Sequence, residues 1–296
     1  MGYPFLKNIM WDLICGNVNQ FEKSLSPLNL FHPVKTILRI LTFFVFAQQL
    51  DAQQIIHESF KSGVLKENRD IWICLPPKFQ AEQEYPILYM MDGQNLLYDS
   101  LAYAGTWQIP IKLQELHDGG LDLIIVAVGN AGSGRGRAQE YSWFESKGSP
   151  SGNGATFLRF MCEELIPHVE ANYQITSGKR GIMGSSLGGL ISAEALIEFP
   201  DTFQLGGIFS PSFWFNTETM EESYLSRIQP TQKMYLVVGK NEGGEFSMAN
   251  DQRKVTEILT NYLTPNHLKA NVFEDGEHKE WFWAREFVSA VKFLYN

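Results

Sequence analysis

Residues 180–195 read RGIMGSSLGGLISAEA, a serine pair caged by glycines where an apolar strand-like lead-in becomes a small, helix-like run. Only Ser186 fits G-x-S-x-G, because a frame centred on Ser185 would need glycine at Met183. A hydroxyl on a sharp strand-to-helix turn is placed to act as a nucleophile. Glycines two residues to either side keep the strained turn free of collisions, and the helix that follows points its positive end at the reacting centre. Such a hydroxyl needs a base. Of the six histidines, His278 stands in EDGEHKEW, between the last strand-like segment and the last helical one, and it is the expected base. His32 precedes the folded part, His57 precedes the first strand, His117 and His168 go with helices, and His267 sits in a polar loop.

A carboxylate should orient the imidazole and stabilise its cation, in the chain order serine, acid, histidine. Glu242 follows a strand in Gly239-Lys-Asn-Glu242 and is the first choice, with Glu245 and Asp251 as rivals. The oxyanion of an acyl-transfer intermediate also needs donors. The N–H of Leu187, next after the nucleophile, is one. Gln94, freed by Gly93 in the stretch Met90-Met-Asp-Gly-Gln94, is the other expected donor.

Positioning these residues takes alternating β and α units. Strand-like runs fall at 71–75, 85–91, 121–128, 180–184, 204–210, 234–238 and 271–273. Helical spacing falls at 155–173, 187–199, 248–263 and 281–294. The run at 121–128 is almost continuously apolar, as a strand covered on both faces should be. This alternation predicts an α/β fold, a mostly parallel central sheet with helices on both faces, whose chemistry sits at the carboxyl ends of strands. No linker divides the chain after residue 53, so 53–296 reads as one domain.

The motifs LYMMDGQNL at 88–96, GTW at 105–107, GSSLGG at 184–189, SPSFW at 210–214, G-x-x-E ending at Glu242, and His278 recur in order. On them the chain resembles the esterase D-like, enterochelin esterase-like family of the α/β-hydrolase superfamily, over roughly residues 58–296. The resemblance implies an α/β-hydrolase fold and a serine esterase. It supports Gln94 as oxyanion donor and Glu242 as acid.

Other chemistries fail on spacing. Gly129-Asn-Ala-Gly-Ser-Gly134 imitates a phosphate loop but lacks the Lys-Ser/Thr that should follow. No His/Cys/carboxylate cluster has metal-ligand spacing, so neither metal nor organic cofactor is expected. A net charge of −9 with no basic run argues against a nucleic-acid partner. Trp107, Trp143, Trp214, Trp281 and Trp283 near strand ends, with Arg135 and Arg137, are candidate substrate contacts. Cys74 and Cys162 read as free thiols rather than a disulfide framework.

Residues 34–52 carry Lys35 and Arg39 ahead of a short apolar run and small residues, the pattern of a signal peptide too short to span a bilayer. Residues 1–33 then read as a non-native or disordered extension. The expectation is a secreted or periplasmic serine esterase acting through an acyl-enzyme on a small-molecule or carbohydrate ester (acylated sugar, feruloyl or acetyl ester, or siderophore). The alternatives are an acyltransferase with the same residues and a non-catalytic binding protein on a hydrolase scaffold.

Overall fold

A computed structural model describes residues 54–98, 102, 105–146, 148–149, 151–244 and 247–296. The expected extension at 1–33, the signal peptide at 34–52 and the rival acid Glu245 lie outside the described residues. The strands are β1 Ile55–Lys61, β2 Asn68–Cys74, β3 Tyr85–Met91, β4 Ile124–Val128, β5 Ile175–Ser185, β6 Leu205–Phe209, β7 Lys233–Gly239 and β8 Leu268–Phe273. The α-helices are α1 Ile109–Asp118, α2 Gly134–Glu140, α3 Gly154–Phe160, α4 Ile166–Glu170, α5 Leu187–Glu198, α6 Glu222–Leu225, α7 Met248–Leu259 and α8 Glu280–Tyr295.

The eight strands form one sheet in the order β1-β2-β4-β3-β5-β6-β7-β8. β1 and β2 are antiparallel to each other, β2 is antiparallel to β4, and every later pairing is parallel. The inner parallel strands β3, β4, β6 and β7 are buried on both faces, which is why they read as nearly unbroken apolar runs, while β8 at the edge is only partly covered. In β3, Ile87, Tyr89 and Met91 join the core on one side with α3, α5 and α7, while Leu88 and Met90 join the core on the other with α1 and α8. This is the architecture of an α/β-hydrolase fold.

β3 lies between β4 and β5, so the chain leaves it first to one side and then to the other. That reversal is the place where loops part and a cleft can open beyond the carboxyl ends of the strands.

The elements depart from expectation in three ways. β1 is an antiparallel edge strand that includes His57, α1 extends the helix expected only at His117, and α2 occupies a stretch with no assigned element. α2, GRGRAQE, has no apolar stripe and is held by ion pairs instead. The helix expected over 155–173 is broken into α3, a π-helical turn at Met161–Leu165, and α4. The π turn carries Glu164, whose carboxylate accepts from Ser62 Oγ (2.5 Å), Gly63 N (2.9 Å) and Val64 N (3.1 Å) and so closes the turn between β1 and β2.

Candidate active site

β5 runs up the middle of the sheet and turns at Ser186 into α5. Ser186 has φ 60° and ψ −123°, a region that non-glycine residues enter only when their surroundings force them. Three backbone bonds do so. Ser186 N donates to Phe209 O (2.9 Å), and Ser186 O accepts from Leu190 N (3.0 Å) and Ser212 N (3.1 Å). The flanking glycines answer to close approach. A Cβ on Gly184 would sit 2.5 Å from Gly188 O, and one on Gly188 would sit 3.1 Å from Asp92 Oδ2. Ser186 Oγ lies 3.3 Å from Ser212 Oγ.

His278 stands between β8 and α8, its ring packed edge-on against Trp283 at 5.1 Å. Its Nδ1 is 2.8 Å from Glu242 Oε2. The carboxylate of Glu242 is 1 % exposed, whereas the imidazole is 38 % exposed. Glu242 Oε1 accepts from Gly239 N (2.7 Å) and Ser210 Oγ (3.0 Å). Ser210 Oγ in turn accepts from Trp283 Nε1 at 2.9 Å. One oxygen of the acid is therefore fixed from behind, and the other meets the histidine. Asp251 does not share this position, since it lies on α7 with Lys254 Nζ at 3.5 Å.

Ser186 and His278 line one cleft of about 840 Å³, together with Asp92, Gln94, Arg137, Trp72 and Trp283. The Leu187 N–H opens α5 and so has no acceptor within its helix. Opposite it, Asp92 takes a left-handed conformation (φ 59°, ψ 46°) into the short turn Gly93–Asn95. The bonds that close this turn come from Asn95 N (2.8 Å) and Leu96 N (3.3 Å), which leaves the Gln94 N–H outside them. The cleft thus holds Gln94, a hydroxyl, and an imidazole backed by a carboxylate, and the Leu187 N–H follows that hydroxyl directly in the chain.

Of the expected substrate contacts, Trp283 and Arg137 line the cleft, Trp143 packs edge-on against Phe199 at 6.3 Å, and the rest are placed elsewhere. Trp107 is buried against Phe209, Trp283 and Phe287, as part of the core. Trp214 and Trp281 are exposed but do not line the cleft, and Trp281 carries the Arg285 guanidinium on its ring at 5.5 Å. Arg135 borders a separate shallow depression with Gln139, Gly148 and Ser149. Its neighbour Arg137 faces the cleft instead, because residues two apart on a helix point roughly 200° apart. Trp72, Ser210 and Ser212 were given no role from sequence, whereas Trp283 was among the expected contacts and does line the cleft. Only SPSFW, which holds both serines, carried a visible signal.

Charge inside the cleft is largely paired. Arg137 Nε donates to Asp92 Oδ1 (2.7 Å) and its Nη2 to Asp92 Oδ2 (2.8 Å). Burial works against the guanidinium's charge, but the nearby Asp92 outweighs it and holds the Arg137 pKa above its ordinary value. Burial likewise raises the carboxyl of Glu280, which also lines the cleft.

The fold is that of the α/β-hydrolases, with the cleft at the carboxyl ends of the strands. Residues 62–294 match the family described as "Putative esterase", and the chain belongs to that family of carboxylic ester hydrolases. It is 30% identical over 213 residues to the ferri-bacillibactin esterase BesA of Bacillus subtilis (strain 168), covering 64% of this chain and 71% of BesA. It is 25% identical over 245 residues to the uncharacterized protein YbbA of the same organism, covering 77% of this chain and 93% of YbbA. The crystal structure of the BES protein from Bacillus cereus superposes with a TM-score of 0.65 at 23% identity, covering 83% of this chain and 95% of that one.

Proposed function

We propose that this esterase works through Ser186, His278 and Glu242 by way of an acyl-enzyme. The observation that carries the reading is the hydrogen bond from His278 Nδ1 to a Glu242 carboxylate whose other oxygen is already held, beside a serine on a strained turn in the same cleft. With Nδ1 bound to the acid, Nε2 is the nitrogen left to take the Ser186 proton as Oγ attacks the ester carbonyl. The oxyanion forms between the N–H groups of Leu187 and Gln94, His278 returns the proton to the leaving alcohol, and water repeats the cycle to release the acid.

The substrate is an ester of a siderophore-like or aromatic acyl compound. The similarity to BesA, named for a ferric siderophore, supports this class, as do the indole rings of Trp72 and Trp283 at the cleft. The basic-then-apolar pattern at 35–47 supports export of the protein.

The test pairs a fluorophosphonate, which reacts with activated serines, with a panel of esters: p-nitrophenyl acetate, methyl ferulate and a catecholate trilactone. Label mapped to Ser186, together with ester turnover lowered on the order of 10⁴-fold in Ser186→Ala, is expected. Label on another residue, or full turnover in Ser186→Ala, would overturn the assignment. N-terminal sequencing of secreted material tests export.

A further inference from the structure

Both oxyanion donors of the proposed mechanism are backbone groups on different strands, so something must hold the two strand ends at a fixed spacing. Gln94 belongs to the turn after β3, and Leu187 to the turn after β5. Arg137 touches both. Its Nε and Nη2 grip the Asp92 carboxylate at 2.7 and 2.8 Å, and the same Nη2 reaches Ser185 O at 3.3 Å. Asp92 lies two residues before Gln94, and Ser185 two residues before Leu187. Asp92 is held further by Asn130 Nδ2 on Oδ1 (2.7 Å) and by its own N–H donating to the hydroxyl of buried Tyr141 (3.1 Å). Its Oδ2 sits where a Cβ on Gly188 would be only 3.1 Å away, so the carboxylate is seated directly on the first turn of α5.

We propose that Arg137 is a positioning residue that cross-links the two oxyanion-donor turns and sets the distance between the Gln94 and Leu187 N–H groups. This rests on the acyl-transfer reading above. A guanidinium suits the task because its planar fork meets a carboxylate at two atoms and still has an N–H for a carbonyl. Lysine can supply the charge but not the fork. With Nε and Nη2 engaged by Asp92 and Ser185 O, Arg137 acts on the reaction through the loops it joins.

The readout must separate positioning from substrate binding and from folding. In p-nitrophenyl acetate hydrolysis, Arg137→Met and Asp92→Asn should each lower kcat about 10- to 100-fold, somewhat less than outright loss of an oxyanion donor. KM should stay within roughly 3-fold, since the oxyanion exists only after attack. A trifluoromethyl ketone binds by adding Ser186 Oγ to its carbonyl carbon, and its oxyanion then occupies the same place. Its inhibition constant should weaken by the same factor as kcat. Arg137→Lys, which keeps the charge, should fall between wild type and Arg137→Met, and it remains informative should the methionine variant not fold.

An active wild type with kcat unchanged in Arg137→Lys and Arg137→Met overturns the inference alone. So does a rise in KM with kcat intact, which would put Arg137 against the substrate. A wild type that neither takes the fluorophosphonate nor turns over any ester overturns the acyl-transfer reading, and the inference with it.

Discussion

The Oε1 atom of Glu242 accepts two hydrogen bonds before His278 is reached, and one of them comes from Ser210, itself tied to the Trp283 indole. Truncating Ser210 to alanine strands a buried indole N–H and removes a donor from the acid. Each such loss costs about 1–3 kcal/mol. Ser210→Ala should therefore lower the urea midpoint visibly and lower kcat as Glu242 loosens, and an unchanged midpoint would show that water replaces the hydroxyl. Glu242→Gln tests the acid itself. The carboxylate acts on the imidazolium formed during attack, so kcat should fall strongly with little change in KM. Asp251→Asn, on α7 beside Lys254, should stay near wild type. The reverse pattern would move the acid to α7.

α5 carries more than the nucleophile. Glu194, fully buried in its middle, accepts from Thr219 Oγ1 (2.9 Å) and Trp143 N (3.0 Å), and burial pushes its carboxyl from an ordinary 4.5 up to about 8. In the unfolded chain it ionises near 4.5, so between that value and about 8 the unfolded state gives up a proton that the folded state keeps. Stability should fall as pH rises through that window and level off above it, and Glu194→Gln should flatten the decline. Parallel melting-temperature curves for the two proteins from pH 5 to 8 would dismiss this role. The strands and the turn at Ser186 were legible in the sequence because buried parallel strands are unbroken apolar runs and the glycines beside Ser186 answer to local contacts. His278 and Glu242 were legible because each follows a strand in chain order. The cleft wall was legible only in part: Gln94, Arg137 and Trp283 were among the expected residues, Trp72 was not. Trp107 and Trp283 are both aromatic residues near strand ends, and only packing decides that Trp107 is buried in the core while Trp283 borders the cleft. α2 left no hydrophobic stripe to read, since charge rather than apolar surface fastens it.

Across the whole molecule, that fastening also reaches β2. Arg69, 2% exposed, donates to Glu140 on α2 and to Gly129 O (3.0 Å), while Glu140 accepts from Ala131 N (3.0 Å). Removing Arg69 leaves the buried Glu140 carboxylate without its cation, at a cost of about 3–5 kcal/mol. Arg69→Met should thus destabilise the protein heavily, and Arg69→Met/Glu140→Leu should regain much of the loss. A double variant no better than the single would point to packing instead of charge. The sheet is also unevenly supported. Ser186 follows β5, which has neighbours on both sides, but His278 follows β8, which pairs only with β7 at the edge. Edge strands open at lower free energy than central ones. In rising urea the histidine's loop should detach while most of the sheet is intact, so esterase activity should disappear at a lower concentration than the far-UV signal, and coincident curves would contradict this. Under mild stress, then, the protein would go silent before it melts, and on return to buffer it would resume work without having had to refold.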